Sequence, residues 1–195
     1  MRNPEVLIHA WCDGVATSFV RGDASSASVF GGACGARLDG VACGPRALHH
    51  VGTIAFADLP NAPGAPREAR LPLFYGLCFD GCVLEYACDA AGDAVEVTFM
   101  DPARSTDAWP YADYPVLLPR VPLRVGSCVE QSWWEFCALA PGLNENPWAG
   151  LTLFVPAPTT IGHSLWGPEG DAAGVLLTFQ YRFANRVMKA SNACG

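Results

Sequence analysis

The sequence predicts an α+β fold that is mainly β, built of antiparallel meander sheets in a duplicated arrangement, with one main helix near 128–139. Three observations carry the prediction. The 195 residues include 20 Gly and 16 Pro, enough backbone punctuation to divide the chain into short elements joined by turns. Apolar residues recur with a period of two in two runs, 94–100 and 174–183, and with helical spacing in one. A short phrase also occurs twice, as Ser28-Val29-Phe30-Gly31-Gly32 and as His163-Ser164-Leu165-Trp166-Gly167 followed by Pro168. Each copy precedes, at some distance, an apolar strand-like run, as in a duplicated unit.

The elements follow in order. The apolar run 6–12 reads as a first strand that ends at the turn dipeptide Asp13-Gly14. Residues 21–28 are small and polar and read as a loop. Gly31-Gly32-Ala33-Cys34-Gly35 is too rich in glycine for the interior of a helix or strand. A short strand over 51–56 ends at Asp58-Leu59-Pro60, and 61–66 is a loop on composition. The runs 71–79 and 82–88 flank Asp80-Gly81, a hairpin dipeptide. Over 94–100, Val95, Val97 and Phe99 alternate with Glu96 and Thr98, so the three runs are expected to form a meander.

The stretch 101–122 is dense in Pro and aromatics, which forbids a helix interior or a central strand. It is expected to join two sheet-containing halves of a single domain, about 1–105 and 123–190, with Trp109, Tyr111 and Tyr114 over one end of the core. Ser127 and Glu130 have capping-box spacing, and Val129, Trp133, Phe136 and Ala140 follow at helical intervals before Pro141-Gly142. These residues place the helix at 128–139. A short strand is expected at 151–155 and a longer one at 174–183. In the longer one Val175, Leu177, Phe179, Tyr181 and Phe183 share one face, with Thr178, Gln180 and Arg182 on the other. The tail 190–195 reads as frayed.

Composition limits the functional classes. Hydrophobic residues make up 51% and charged residues 16%, which excludes intrinsic disorder and supports one sizeable core. No apolar run approaches the roughly 18–20 residues of a membrane-spanning helix, so no membrane partner is expected. The net charge of −7 repels phosphate backbones and argues against nucleic acid. A protein partner with a basic surface fits that charge. The first residues lack a signal-peptide core, so the expected location is cytoplasmic and the nine Cys are read as thiols.

Candidate chemistry is sparse. Cys78, Cys82 and Cys88 are the densest thiol group, but a structural zinc site needs a second ligand pair. Small buried strand residues are the better reading of them. His49 and His50 are adjacent at a strand start, where they point to opposite faces and cannot easily chelate one ion. The Gly31-Gly32 turn, with Arg37 nearby, could cradle a phosphate. It lacks the Lys-Ser/Thr of a P-loop and the spacing of a dinucleotide fingerprint, so no cofactor is expected. Five acidic residues (Asp58, Asp80, Glu85, Glu169 and Asp171) would give acid–base chemistry only where two converge in space. In Trp133-Trp134-Glu135-Phe136, helical spacing puts Trp133 and Phe136 in the core. Trp134 and Glu135 are left as candidate partner contacts.

Taken in order, five segments resemble the YwqG-like family of bacterial domains of unknown function. The family pattern runs from an S-x-F-G-G turn to a strand ending in I-x-x-x-D/E-L-P, then an L-P-led aromatic strand, then an H-x-x-G-G-Y-P turn before an apolar strand. This chain has Ser28-Val29-Phe30-Gly31-Gly32, Ile54-Ala55-Phe56-Ala57-Asp58-Leu59-Pro60 and Leu71-Pro72-Leu73-Phe74-Tyr75. It continues with His163-Ser164-Leu165-Trp166-Gly167-Pro168 and Val175-Leu176-Leu177-Thr178-Phe179. Thr53 and Thr178 stand where the family commonly has Gln, and the second turn lacks the double glycine. The resemblance implies a β-rich α+β fold and no agreed activity. Relatives encoded near toxin genes make toxin neutralisation its natural functional implication.

The leading expectation is thus a non-catalytic protein-binding module, in its specific form an immunity protein that meets a basic toxin. The alternative is a small-molecule-binding protein or enzyme with a site at the Gly-rich turns, around Gly31, Gly32, Arg37, His49, His50 and His163. A Cys-based metal protein using Cys78, Cys82 and Cys88 is the third.

Overall fold

The computed structural model describes residues 5–40, 48–76, 83–101, 117–139, 150–156 and 175–194. Twelve strands form one sheet in these residues: β1 (Val6–Cys12), β2 (Val15–Arg21), β3 (Ser28–Phe30), β4 (Arg37–Gly40), β5 (His49–Ala55), β6 (Arg70–Tyr75), β7 (Val83–Cys88), β8 (Ala94–Asp101), β9 (Val121–Glu130), β10 (Leu151–Val155), β11 (Val175–Arg182) and β12 (Val187–Cys194). A 3-10 turn (Phe56–Asp58) follows β5, and a short helix, α1 (Trp133–Cys137), follows β9. The fold is α+β and mainly β.

The strand order is β4-β8-β7-β12-β11-β10-β1-β2-β9-β3-β5-β6. Strands from both ends of the chain interleave, because β1 and β2 lie between β10 and β9. Every pair is antiparallel except β4–β8. Asp13 (φ 45°) and Gly14 (φ 80°) form the two-residue turn between β1 and β2, the type I′ geometry that matches strand twist.

The sheet curls so that its last strand comes back against β12 and β7, near the other end of the strand order. β6 pairs with β5 alone among the described strands, and it lies against β12 across the core. The Tyr86 hydroxyl of β7 reaches it, donating to the Pro72 carbonyl and accepting from the Phe74 amide, both at 3.0 Å. The main core fills this curl with Phe19, Phe30, Tyr75, Tyr86, Phe179 and the aliphatic residues between them. A second cluster sits where α1 packs, made of Ala16, Trp133, Phe136 and Phe154 with Trp11 beside them. Trp133 meets Trp11 edge to face at 5.3 Å, and Phe136 meets Phe154 at 5.2 Å, favourable aromatic geometries.

Several expectations need correction. The meander is right for β7 and β8, but β6 and β7 are not neighbours in the sheet, and Asp80-Gly81 lies outside the described residues. In β8 the alternation breaks at a register shift opposite Glu85/Tyr86. Phe99 therefore turns outward, 47% exposed, and Met100 is buried in its place. The helix is shorter than 128–139. β9 continues to Glu130, held by its ladder with β2, so Val129 is an exposed strand residue. The capping box forms five residues later, with Ser132 as N-cap and Glu135 at the third helical position. The tail is not frayed up to Cys194, because β12 pairs with β11 along its whole length and with β7 over Val187–Ser191. The face assignment in β11 stands uncontradicted, and both faces are covered there, with Thr178 and Gln180 buried as well as Leu177, Phe179 and Tyr181. The segment containing Trp109, Tyr111 and Tyr114 lies outside the described residues.

Candidate functional site

The first Gly-rich phrase is held by backbone bonds. Gly31 and Gly32 follow β3 with φ of 61° and 75°, a left-handed conformation natural to glycine. The Gly31 N–H donates to the Val51 carbonyl and the Gly32 N–H to the Leu118 carbonyl, each at 2.8 Å. Both amides are thus spent on the fold, and neither Gly31 nor Gly32 offers its N–H to a phosphate. The role of the turn is to clamp β5 to the segment entering β9.

Ser28, at the start of the same phrase, is fully buried. Its hydroxyl donates to Asp58 Oδ2 at 2.6 Å and accepts from the Ala55 N–H at 2.9 Å. The Ser-led phrase and the Asp-Leu-Pro phrase therefore meet in space, Ser28 tying the end of β5 to the turn beyond it.

His50 is buried beneath the glycines. Its Nδ1 lies 2.9 Å from the Gly32 carbonyl and its Nε2 lies 2.8 Å from Thr53 Oγ1. A carbonyl only accepts, so Nδ1 carries the proton and Nε2 accepts from the Thr53 hydroxyl. Burial lowers the His50 pKa, and backbone hydrogen bonds led by that to Gly32 oppose the shift. The ring is a neutral brace. Burial also lowers the neighbouring His49, to about 4.

Beside this turn lies a cleft of 330 Å³, walled by 33–36 of the Gly-rich loop, by His50 and Thr53 of β5, by Arg70 and Pro72 of β6, by Gly92 and Asp93, and by Arg120. Of the expected ligand residues, His50 lines this cleft. Arg37 does not. It opens β4 and lines a second concavity of 430 Å³ with Asp39, Cys88, Asp89 and Glu96. His163 lies outside the described residues, as do Cys78 and Cys82. Cys88 is buried in β7, and burial, followed by Asp89 and Cys34, pushes its thiol up to about 12. Without a bound metal to lower that value, the thiol stays protonated at neutral pH. Among the described residues no three His, Cys, Asp or Glu side chains are placed to hold one metal ion.

Sequence reasoning missed Arg70 and Arg120. They are fifty positions apart, with no motif around either, and only the pairing of β5 with β6 and the passage of 118–120 over the Gly turn bring them to one cleft.

The candidate partner contacts stand on the opposite kind of surface. Trp134 is 75% exposed on α1, while its neighbours Trp133 and Phe136 are buried. Glu135 Oε2 accepts from the Ser132 amide at 2.8 Å and from its hydroxyl at 2.7 Å, and the Ser132 hydroxyl hydrogen bond holds the carboxyl below its usual range. α1 is anchored by Trp11 Nε1, which donates to the Gln131 carbonyl at 2.9 Å, and by Gln131 N–H, which donates to the Gly14 carbonyl at 2.9 Å.

No family model, no curated protein and no solved structure matches this chain. No helix in the described residues is long and apolar enough to cross a membrane.

Proposed function

We propose that this chain is a non-catalytic protein-binding module that engages a basic partner through the surface formed by the end of β9 and by α1. The observation that carries the reading is Trp134, a large apolar side chain 75% exposed on a helix whose other aromatics are buried. An exposed Trp on a fixed backbone is the usual form of an interface anchor. Val129 and Leu139, on the adjoining segments, are also exposed. Glu130 and Glu135 add negative charge to the same stretch, and the chain as a whole carries −7, which speeds encounter with a basic protein. Among the described residues, β3 covers β9 only along Val121–Leu123, so the edge over 124–130 also offers backbone groups to an added strand.

An immunity protein that neutralises a basic toxin is the specific form of this module. It is supported by the charge, by the Trp134 surface and by the resemblance to YwqG-like domains. The test is paired affinity capture from the native host, with the wild-type chain and Trp134→Ala as baits. A basic protein retained by the first and lost from the second is the expected result. A partner held equally by both baits, or none held by either, overturns the reading.

A further inference from the structure

We propose that the cleft beside the Gly31-Gly32 turn binds a small oxyanion, a phosphate- or carboxylate-bearing metabolite held between Arg70 and Arg120. In an acidic chain, two arginines line one concavity, and among the described residues neither has an ion-pair partner. Guanidinium forks match the planar geometry of carboxylate and phosphate oxygens and bind them through paired, charge-assisted hydrogen bonds. A volume of 330 Å³ suits a small metabolite and not a polymer.

Both arginines are set on fixed backbone. Arg70 is paired with Ala55 in the β5–β6 ladder, and its N–H donates to the Ala91 carbonyl at 3.0 Å. Behind it, the 89–93 turn is closed by Asp89 Oδ1, which accepts from the Gly92 and Asp93 amides at 2.7 and 2.8 Å. Arg120 lays its aliphatic stem across Gly32, where an added Cβ would sit 2.9 Å from Arg120 Cβ and 3.0 Å from its Cγ. The glycine thus makes room for the aliphatic stem of the second arginine in the lining. His50, uncharged and with both ring nitrogens engaged, contributes a rigid wall. The one carboxylate in the lining is Asp93, which leaves the cleft with net positive charge and a place for a hydroxyl or amine beside the anion.

Titration calorimetry on the full chain tests this, with inorganic phosphate and malonate as probes at constant ionic strength. At least one probe is expected to bind saturably at one site, and the tighter of the two indicates whether phosphate or carboxylate is the native group. Arg70→Gln and Arg120→Gln should each weaken binding about tenfold. Arg124→Gln, an exposed Arg of β9 outside the lining, should leave it unchanged. Because all three arginines are exposed, the variants should keep the wild-type urea midpoint, and either cleft variant suffices if the other fails to fold. No saturable heat with either probe overturns the proposal, as does equal weakening by Arg124→Gln.

Discussion

The Tyr86 hydroxyl accepts the Phe74 N–H across the core, a 3.0 Å bond that ties the outer edge of β6 to β7 without any strand pairing between them. The same hydroxyl donates to the Pro72 carbonyl, so one phenol satisfies both a donor and an acceptor of a buried strand edge. The ring meets Phe74 edge to face at 6.1 Å. Burial holds its pKa well above the usual phenol value, so it remains a hydroxyl able to do both. Tyr86→Phe keeps the ring and deletes the bridge, leaving two buried backbone groups without a partner. The expected cost is about 1–3 kcal/mol, read as a lower urea midpoint with an unchanged m-value.

Gly31 and Gly14 both have positive φ but differ in what surrounds them. An added Cβ at Gly31 would collide with the Pro119 carbonyl, whereas at Gly14 it would meet nothing within 4 Å. Gly14→Ala should cost only the backbone strain of a left-handed residue, about 1 kcal/mol. Gly31→Ala adds a clash that must displace the segment entering β9, and it should cost clearly more. Equal midpoints for the two variants in parallel urea titrations would count against the clamp described for this turn.

Ser28 is the junction of two phrases thirty residues apart. Removing its hydroxyl leaves the Ala55 amide without its acceptor and deprives Asp58 of its donor. Ser28→Ala is expected to destabilise the chain by about 1–3 kcal/mol. Ser28→Thr adds a methyl at a position with no exposed surface and should not restore full stability. Double-mutant cycles with Asp58→Asn would show coupling between the two sites if the bond contributes as its geometry indicates.

These residues also show what could be read in advance. β1, β8, β10 and β11 announce themselves because their apolar runs or alternation are local, and Asp13-Gly14 is a turn on its own chemistry. β4 and β12 do not. Arg37–Gly40 has no apolar pattern and exists through its pairing with β8, and Val187–Cys194 is small and polar yet lies between β11 and β7. Two Ser-x-x-Glu phrases compete for the helix start, Ser127 with Glu130 and Ser132 with Glu135. The first loses because β2 supplies a ladder through Glu130, a partner that local spacing cannot reveal. In the candidate cleft, the Gly turn and His50 were legible as residue types. Arg70 and Arg120 were not, because their nearness depends on long-range pairing.

The buried His49 and His50 and the half-buried His9 make stability fall with acid over a defined pH window. Burial lowers His9, stacked on Phe154 at 4.6 Å, and His49 to about 4 each, and it lowers His50 as well. In the unfolded chain a histidine titrates near 6.5. Between about pH 6.5 and 4 the unfolded state therefore binds more protons than the folded state, and stability rises with pH. Their contribution is complete above pH 6.5 and is lost as the pH falls towards 4, by about 1.4 kcal/mol per pH unit for each ring that stays neutral. Urea unfolding from pH 7.5 to 4.5 should be flat at the upper end and should indicate uptake of about two protons at pH 5. His9→Phe keeps a ring against Phe154 and removes one titrating group, so its profile should be shallower by about one proton. A wild-type profile that stays flat from pH 7 to 5 would show that these rings are solvated or paired in their charged form, contrary to their burial.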